Sequence, residues 1–331
     1  MAIAVTVGEP AGIGGEIALK AWLLRREENL PAFFLIGCPR YLRSVSASLD
    51  LAVPIAEIAE PQDAPACFDN ALPVLPLSLP ARPIPGTPAA ANARAVIESI
   101  DRAASLALSQ AVDGIVTLPI NKAILYRSGF GFPGHTEYLA HLTKAAGSPI
   151  MMLVGGGLRV VPVTIHEPLA QAIARLDGPL IETTARRVAQ ALRSDFGIAA
   201  PRLALAGLNP HAGEQGALGD EEVRFIAPAA ARLRRAGIDV SGPHAPDSMF
   251  HAAARAGYDA AICLYHDQAL IPLKTLAFHE GVNATLGLPI VRTSPDHGTA
   301  LDIAGKGRAN PSSLCASLRL AQSIGVHRAR F

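Results

Sequence analysis

The sequence has little of several features that mark particular classes of protein. Lysine and arginine number 29 against 28 aspartates and glutamates, giving a net charge of +1, and aromatic residues make up only 5%. Neither a basic surface for a nucleic-acid backbone nor an aromatic platform for stacking bases is indicated. No apolar segment reaches the roughly 18 uninterrupted residues of a membrane-spanning helix. These absences disfavour nucleic acid and membrane as partners and favour a small molecule.

Cysteine is also scarce, and its distribution indicates the compartment. The four cysteines are far apart and form no Cys-x-x-Cys pair; they are Cys38, Cys67, Cys263 and Cys315. This distribution predicts free thiols in a reducing cytoplasm. The apolar start of the chain, 1–7, has no basic flank and runs into Gly8, which predicts a first strand rather than a signal peptide.

What is present is an alternation of short apolar runs with helical patterns. A length of 331 residues suggests about two domains. The alternation predicts βα units and a parallel sheet. Nine prolines between Pro54 and Pro88 predict little regular structure there beyond edge strands. Two apolar runs around Gly155–Gly157 predict a β-hairpin over 150–165.

Three histidines follow three predicted strands. His166, His211 and His266 each come just after an apolar run, so each is expected at the carboxyl end of a strand. Because ligands gather at that edge of an α/β sheet, three imidazoles there could hold Zn²⁺ or another transition metal. Three acidic residues nearby could orient the rings: Glu167, Glu214 and Asp267. The alternative is three unrelated capping or surface histidines.

The segment 8–16, rich in glycine, joins the first strand to the first helix. Its glycines, among them Gly12, permit close backbone approach and resemble a phosphate loop. A plain strand-to-helix turn is the alternative, since no Walker A or Gly-x-Gly-x-x-Gly motif is present.

Several residues suggest an anion site and a proton acceptor. Thr136 is a predicted helix N-cap directly after His135, and a helix amino terminus binds anions. Further cations and an amide could complete a phosphate or carboxylate pocket: Lys274, Asn283 and Arg292. Asp247 could act as a base or an outer metal partner. The alternatives are that Thr136 and Asp247 are ordinary helix caps, and that the other residues are solvated side chains at the surface.

These residues lie within segments that resemble a known family. The segment Ser294–Pro311, SPDHGTALDIAGKGRANP, resembles the adenosine-binding loop of the isocitrate and isopropylmalate dehydrogenase superfamily. Seven segments in order along the chain are similar to the 4-hydroxythreonine-4-phosphate dehydrogenase family of vitamin B6 biosynthesis: VGEPAGIGGE, GHTEYL, HEPL, LNPHAGE, PDSMF, YHDQALIPLK and GVNATLGLPIVRTSPDHGTA. The likeness runs from about Val5 to Leu320, nearly the whole chain.

The resemblance implies an isocitrate/isopropylmalate dehydrogenase-like fold of two α/β domains with a cleft between them. Residues 1–128 and 281–331 are expected to form one domain, which carries the nucleotide-binding loop. Residues 129–280 are expected to form a central domain with the metal ligands and the contacts of a homodimer. The active site would then lie at the subunit interface.

The resemblance also implies roles for single residues. The metal ligands would be His166, His211 and His266, supplied from both subunits, and the metal Zn²⁺, Mg²⁺ or Co²⁺. The substrate, chiefly its phosphate, would bind to His135, Thr136, Lys274, Asn283 and Arg292. NADP or NAD would bind near Gly12, Ser294, His297, Gly298, Thr299 and Asp302. Apart from the resemblance, the candidate proton acceptors are Asp247, a metal-bound water and, as a third choice, Lys122.

The implied reaction is oxidation of 4-phosphohydroxy-L-threonine to 2-amino-3-oxo-4-phosphonooxybutanoate, which loses CO₂ to give 3-amino-2-oxopropyl phosphate. His244 and Ser248 depart from the family's common residues, outside the matched site positions. A sister group oxidises phosphorylated four-carbon sugar acids, such as 4-phospho-erythronate or 4-phospho-threonate, and is the first alternative; the run 269–271 is more like the vitamin B6 enzymes. More distant alternatives are a phosphate acyltransferase and a non-catalytic metabolite sensor.

Overall fold

The computed structural model describes all 331 residues, and they form two compact units. Unit 1 comprises Met1–Pro149 and Leu288–Ala329; unit 2 comprises Ile150–Gly287 and the last two residues, Arg330–Phe331. The predicted domains differ from these units at 129–149, at 281–287 and at the last two residues, 330–331. Residues 129–149 contact the rest of unit 1 through Tyr138, whose hydroxyl donates to Asp101.

Unit 1 contains six parallel strands in the order β3-β4-β2-β1-β5-β12. The strands are β1 (Ile3–Thr6), β2 (Phe33–Gly37), β3 (Ile55–Glu57), β4 (Leu72–Pro76), β5 (Gly114–Val116) and β12 (Arg292–Pro295). All residues of β1, β2, β5 and β12 are buried. Strands covered on both faces favour apolar side chains at successive positions, which explains the apolar runs of β1, β2 and β5, whereas β12 is polar.

The helices of unit 1 connect these strands. They are α1 (Gly14–Leu23), α2 (Pro39–Ser48), α3 (Ala64–Cys67), α4 (Ala93–Leu108), α5 (Lys122–Arg127), α6 (His135–Leu142) and α12 (Ser312–Arg328). The turn from β1 to α1 needs glycine, because Gly8 has a φ of 64° and a side-chain carbon there would lie 2.8 Å from Pro119 O. The positive φ and the close packing fit a tight strand-to-helix turn, and a phosphate-binding role of this segment stays a prediction.

The proline-rich segment corrects the sequence prediction. Strand β4 contains two prolines and yet is an internal strand, paired with β3 on one side and β2 on the other. It tolerates Pro73 because pairing with β2 begins only at Val74, so the missing N–H costs no ladder hydrogen bond on that side.

Unit 2 also contains six strands, in the order β11-β6-β7-β10-β8-β9. They are β6 (Ile150–Gly155), β7 (Leu158–Pro162), β8 (Arg202–Ala206), β9 (Asp239–His244), β10 (Ala260–Cys263) and β11 (Val282–Leu286). Strands β6 and β7 form the predicted antiparallel hairpin. Strand β11 pairs antiparallel with β6, which is why 281–287 belongs to this unit.

The helices of unit 2 are α7 (Leu169–Arg175), α8 (Gly178–Ser194), α9 (Ala227–Arg235), α10 (Ala252–Arg255) and α11 (His266–Ala277). Alternate residues of β8 enter different core clusters: Leu203 and Leu205 enter one with residues of α8 and α9, and Ala204 and Ala206 another with residues of α11. This alternation is the two-residue period of a strand covered on both faces.

The four cysteines are free, as predicted. None of the helices combines the length and the apolar character that a bilayer crossing requires.

Candidate active site

Four parallel strands of unit 2 end side by side, and a polar residue follows each. The strands are adjacent in the order β7-β10-β8-β9 and parallel throughout. In that order they lead to His166, His266, His211 and Asp247. Neighbouring strands are about 4.8 Å apart, and the carboxyl ends of parallel strands lie at one edge of the sheet. The topology therefore brings the three histidines and Asp247 to a single edge.

Buried side chains tie these strand ends together. The Thr164 hydroxyl donates to Leu264 O at 2.8 Å, joining the chain after β7 to the chain after β10. The Gln268 amide accepts from Leu264 N at 2.6 Å and donates to Gly207 O at 2.8 Å, joining β10 to β8. These bonds restrain the segments that carry the histidines.

His166 and His266 form a pair beside a cavity. Their ring centroids are 5.7 Å apart. The cavity has a volume of about 460 Å³, and its lining includes both histidines together with Glu167, Tyr265 and Asp267. This volume is within the range of about 300–1,000 Å³ that small-molecule sites occupy.

The His266 ring is held in an orientation that suits metal binding. Its Nδ1 lies 2.7 Å from Asp267 Oδ1. When Nδ1–H donates to that carboxylate, the lone pair of Nε2 is left for a ligand bond, as in carboxylate–histidine–metal arrangements. The two imidazoles are thus of the ligand type that a divalent transition metal prefers, and they would supply part of its coordination.

His211 lies on a strained turn after β8. Five consecutive residues have positive φ: His211, Ala212, Gly213, Glu214 and Gln215, with angles of 54°, 51°, 77°, 42° and 59°. Each of the four non-glycine residues costs about 1–2 kcal/mol in this conformation. Strain of this kind clusters at functional sites, where the surrounding structure maintains it.

The turn that carries His211 contacts the turn Pro246–Ser248, so Asp247 is on a neighbouring turn. Asp247 is exposed, and the N-cap of α10 is His251, so the alternative cap role of Asp247 is wrong. His211 does not line the cavity of the other two histidines, and the chain contains no group of three or more His, Cys, Asp or Glu arranged to hold a metal ion.

Unit 1 contains a separate basic cluster around Arg292. This arginine is 5% exposed, and its Nε and Nη2 donate to Thr117 Oγ1 at 3.1 and 2.7 Å. Burial lowers the pKa of Arg292 to about 10, whereas the charge of Glu137 acts to raise it. The guanidinium therefore remains charged at neutral pH, in surroundings that favour an added anion.

His135 lies beside this guanidinium at the start of α6. Burial, then the charges of Arg292 and Lys122, hold its pKa well below the usual value, so its ring is neutral. The buried Nε2 has no hydrogen-bond partner. A side-chain carbon at Gly134 would lie 3.6 Å from Lys122 Nζ and 3.5 Å from Glu137 Oε2, which places both side chains at the same helix start. An anion here would meet two cations, one neutral imidazole and one carboxylate.

The structure corrects the predicted cap, and the predicted substrate residues belong to both units. Gly134, with extended backbone, is the N-cap of α6, so Thr136 lies inside the first turn. Lys274 and Asn283 are in unit 2, on α11 and β11. The Asn283 Oδ1 is buried without a hydrogen-bond partner.

Two loops of unit 1 meet where the cofactor residues are predicted. Ile13 N donates to Thr299 O at 3.1 Å, and a side-chain carbon on Gly12 would lie 2.8 Å from that same oxygen. Ser294 is buried in β12, Gly298 has open space beside its Cα, and Asp302 is exposed. The His297 Nδ1 lies 3.0 Å from Gly298 O.

The second loop is anchored to α1. Glu16 Oε1 accepts from Ala309 N at 2.8 Å and from Lys20 Nζ at 2.7 Å, and the same ammonium donates to Gly307 O. A cavity of about 490 Å³ adjoins Gly12 and Gly305, with Arg40, Tyr41 and Ser44 among its other lining residues. The close-packed glycine and the adjoining cavity fit a nucleotide.

Sequence reasoning missed three residues that shape these sites: Thr117, Gln268 and Glu222. Gln268 lies inside a matched motif, which was a usable signal. Glu222 lies in the acidic triplet 220–222, which has the appearance of a solvated surface. Thr117 has no local signal, because its partner Arg292 is remote in sequence.

The fold and the sites define an α/β protein of the isocitrate/isopropylmalate dehydrogenase-like class, as predicted. The chain belongs to the family described as pyridoxal phosphate biosynthetic protein PdxA, whose sequence profile matches residues 29–321. The predicted family is thereby confirmed.

Individual relatives agree with this assignment. The chain is 55% identical over 328 residues to a 4-hydroxythreonine-4-phosphate dehydrogenase from Methylorubrum populi, with 97% of this chain and 94% of that protein covered. It is similar to the crystal structure of 4-hydroxythreonine-4-phosphate dehydrogenase from Klebsiella pneumoniae, with a TM-score of 0.87, 41% identity and 98% of both chains covered. A terephthalate 1,2-cis-dihydrodiol dehydrogenase from Burkholderia xenovorans matches with a TM-score of 0.64 and 32% identity, again over 98% of both chains.

Proposed function

We propose that the chain catalyses the metal-dependent, NAD(P)-linked oxidation of 4-hydroxythreonine 4-phosphate to 2-amino-3-oxo-4-phosphonooxybutanoate. A bound nicotinamide would take the C3 hydrogen with its two electrons and a base the hydroxyl proton, and the β-keto acid would then lose CO₂ to give 3-amino-2-oxopropyl phosphate. The observation that carries the proposal is the convergence of three histidines and Asp247 at adjacent strand ends in a member of this family.

The histidines are the proposed metal ligands. His266 contributes Nε2 while Asp267 holds Nδ1, and His166 lies across the same cavity. His211 is the third ligand. A divalent metal bound there would act as a Lewis acid on the substrate's hydroxyl and lower its pKa. Imidazole nitrogen favours Zn²⁺ or Co²⁺ over Mg²⁺, which prefers oxygen.

The proposed phosphate site is the basic cluster of unit 1. Arg292 is buried with its charge retained, and Thr117 fixes the plane of the guanidinium. His135 is neutral and can donate to or accept from a phosphate oxygen through its unpartnered Nε2. Thr136, Lys274 and Asn283 remain proposed substrate contacts.

Asp247 is the proposed proton acceptor, through a carboxylate oxygen. Its turn contacts the turn that carries His211, and it is exposed and therefore accessible to a proton. Lys122 lies beside Gly134 at the start of α6, and we assign its ammonium to the phosphate cluster rather than to proton transfer.

The nicotinamide cofactor, NADP or NAD, would be held by the two loops that meet at Gly12 and Thr299, and it would accept the hydride. Gly298, Ser294, His297 and Asp302 remain proposed contacts. Gly298 supports this, because the open space beside it lets another molecule approach the backbone closely.

We further propose a cytoplasmic homodimer with the active site at its interface. Exposed apolar side chains lie near His166 and His266 in the chain: Leu169 on α7, Ile271 on α11 and Phe278 directly after α11. Such side chains on one unit are typical of a surface covered by another chain. The four free thiols support a reducing compartment.

The test is the formation of reduced nicotinamide when the purified protein, loaded with Co²⁺ or Zn²⁺, receives 4-hydroxythreonine 4-phosphate with NADP⁺ or NAD⁺. We expect a signal that chelation abolishes and that the unphosphorylated amino acid does not produce. Arg292→Ala should raise KM about 10–100-fold through the lost charged hydrogen bonds. Arg43→Ala, which removes an exposed arginine paired with Glu57 in the same unit, should leave KM unchanged.

Turnover of 4-phospho-erythronate or 4-phospho-threonate in place of the amino acid would redirect the substrate assignment to sugar acids. No turnover of any of these phosphorylated substrates by metal-loaded protein would refute the proposed function.

A further inference from the structure

Glu222 is a buried carboxylate that the proposed mechanism does not use. It is 4% exposed and lies at the first residue of the helical segment that leads into α9. Its Oε1 accepts from Leu208 N at 2.7 Å and from Asn209 N at 2.8 Å, and its Oε2 accepts from the Asn209 side-chain amide at 2.9 Å. All three donors are neutral and belong to the segment between β8 and His211. A charge taken out of water here is thus balanced by hydrogen bonds to that one segment.

The backbone around this carboxylate is shaped to admit it. A side-chain carbon on Gly207 would lie 3.2 Å from Glu222 Oε1, and one on Gly213 would lie 2.5 Å from Oε2. The two glycines are on either side of His211 in the chain. Glu222 therefore contacts the turn both before and after the histidine.

The turn itself requires such support. The residues from His211 to Gln215 all have left-handed backbone angles, and four of the five are not glycine. An isolated peptide would leave this conformation, so neighbouring contacts must maintain it. The segment 222–226, which supplies the carboxylate, is a single π-helical turn, and such turns are frequent at functional sites.

We propose that Glu222 is a positioning residue for His211: its carboxylate holds the left-handed turn that aims the imidazole at the metal. The inference rests on the proposed function, in which His211 is a ligand. Glu221 provides a matched contrast, since its carboxylate also accepts from the Asn209 side-chain amide, at 2.7 Å, but it is only half-buried.

The experiment measures Co²⁺ binding to the metal-free full-length protein, by titration and by the visible absorption of the bound ion. The variants are Glu222→Gln, Glu222→Asp, Glu221→Gln and His211→Ala. Loss of a residue that orients a ligand costs about 10–100-fold in metal affinity. We expect both Glu222 variants to lose affinity by that factor and to shift the Co²⁺ spectrum towards that of His211→Ala, with Glu221→Gln close to the wild type.

The variants also separate positioning from stability. Circular dichroism and thermal unfolding without metal identify which variants are folded. If Glu222→Gln does not fold, the test uses Glu222→Asp, which keeps the charge on a side chain one methylene shorter. Folded Glu222 variants with wild-type Co²⁺ affinity and spectrum would overturn this inference alone, even if they unfold at lower temperature. A wild type that does not bind Co²⁺, or that binds it as His211→Ala does, would overturn the proposed metal site and this inference with it.

Discussion

Replacing Thr117 with valine isolates the bond that holds Arg292 in place. The Thr117 hydroxyl is 1% exposed and accepts two N–H groups from the guanidinium, at 3.1 and 2.7 Å. Valine has nearly the same shape but offers no acceptor, so the buried donors lose their partner while packing is retained. The substitution therefore changes one chemical property at one site.

The size of the effect follows from the charge on the donor. A hydrogen bond to a charged group contributes about 1.5–3 kcal/mol, whereas a neutral one contributes about 0.5–1.5 kcal/mol. Because both N–H groups use the same oxygen, the two bonds are counted as one charged interaction. We expect unit 1 of Thr117→Val to lose about 2–3 kcal/mol of unfolding free energy.

Urea unfolding followed by tryptophan fluorescence measures this loss of free energy in unit 1. Trp22 is the single tryptophan of the chain, and it is 4% exposed in α1 of unit 1. With a dependence of about 1–3 kcal/mol per molar urea, increasing with size, the midpoint should fall by about 1 M. KM for the phosphorylated substrate should rise as well, because the guanidinium is no longer held in one plane.

Thr293→Val is the matched control on the adjacent strand. Thr293 is fully buried, and its hydroxyl donates to a neutral acceptor, Ser317 O, at 2.9 Å. Its loss should cost about 0.5–1.5 kcal/mol. An unchanged midpoint for Thr117→Val, or one no lower than that of Thr293→Val, would refute the role assigned to the Thr117 hydroxyl.

Two further predictions concern the pH dependence of unit 1 and the cofactor loops. The pKa of His135 is lowered in the folded state, so below pH about 6.5 the unfolded chain binds a proton that the folded chain does not. Wild type should then lose up to about 1.4 kcal/mol of stability per pH unit relative to His135→Asn, measured by Trp22 fluorescence in urea at pH 7 and 5.5; parallel pH dependence would contradict this. Gly12→Val places carbon within 2.8 Å of Thr299 O and should weaken binding of reduced nicotinamide dinucleotide at least about tenfold, followed by its fluorescence. Gly131→Val, where the added carbon meets nothing within 4 Å, is the control, and equal affinities in the two variants would argue against the loop assignment.

Much of the local structure was predictable because its causes lie within a few residues. The glycines at 155–157 predict the hairpin of β6 and β7, and the apolar runs predict the strands that precede the histidines, which end three to five residues before each of them. The motif strings also identified the family, since several long segments in a fixed order rarely match by chance. Where a cap was misjudged, as at Thr136, the deciding feature was the extended backbone of Gly134.

The sequence by itself determined the chemistry available to the protein: three histidines after three predicted strands, the cationic side chain of Arg292, and glycines where loops approach closely. The tertiary structure decided which of these groups meet. Strand order places β8 beside β10, so His211 and His266, far apart in the chain, reach the same sheet edge. The tertiary structure also buries Glu222 against the turn of His211 and Thr117 against Arg292. Periodicity and capping are local properties, whereas burial, pKa and hydrogen-bond partners depend on segments that only the folded chain brings into contact.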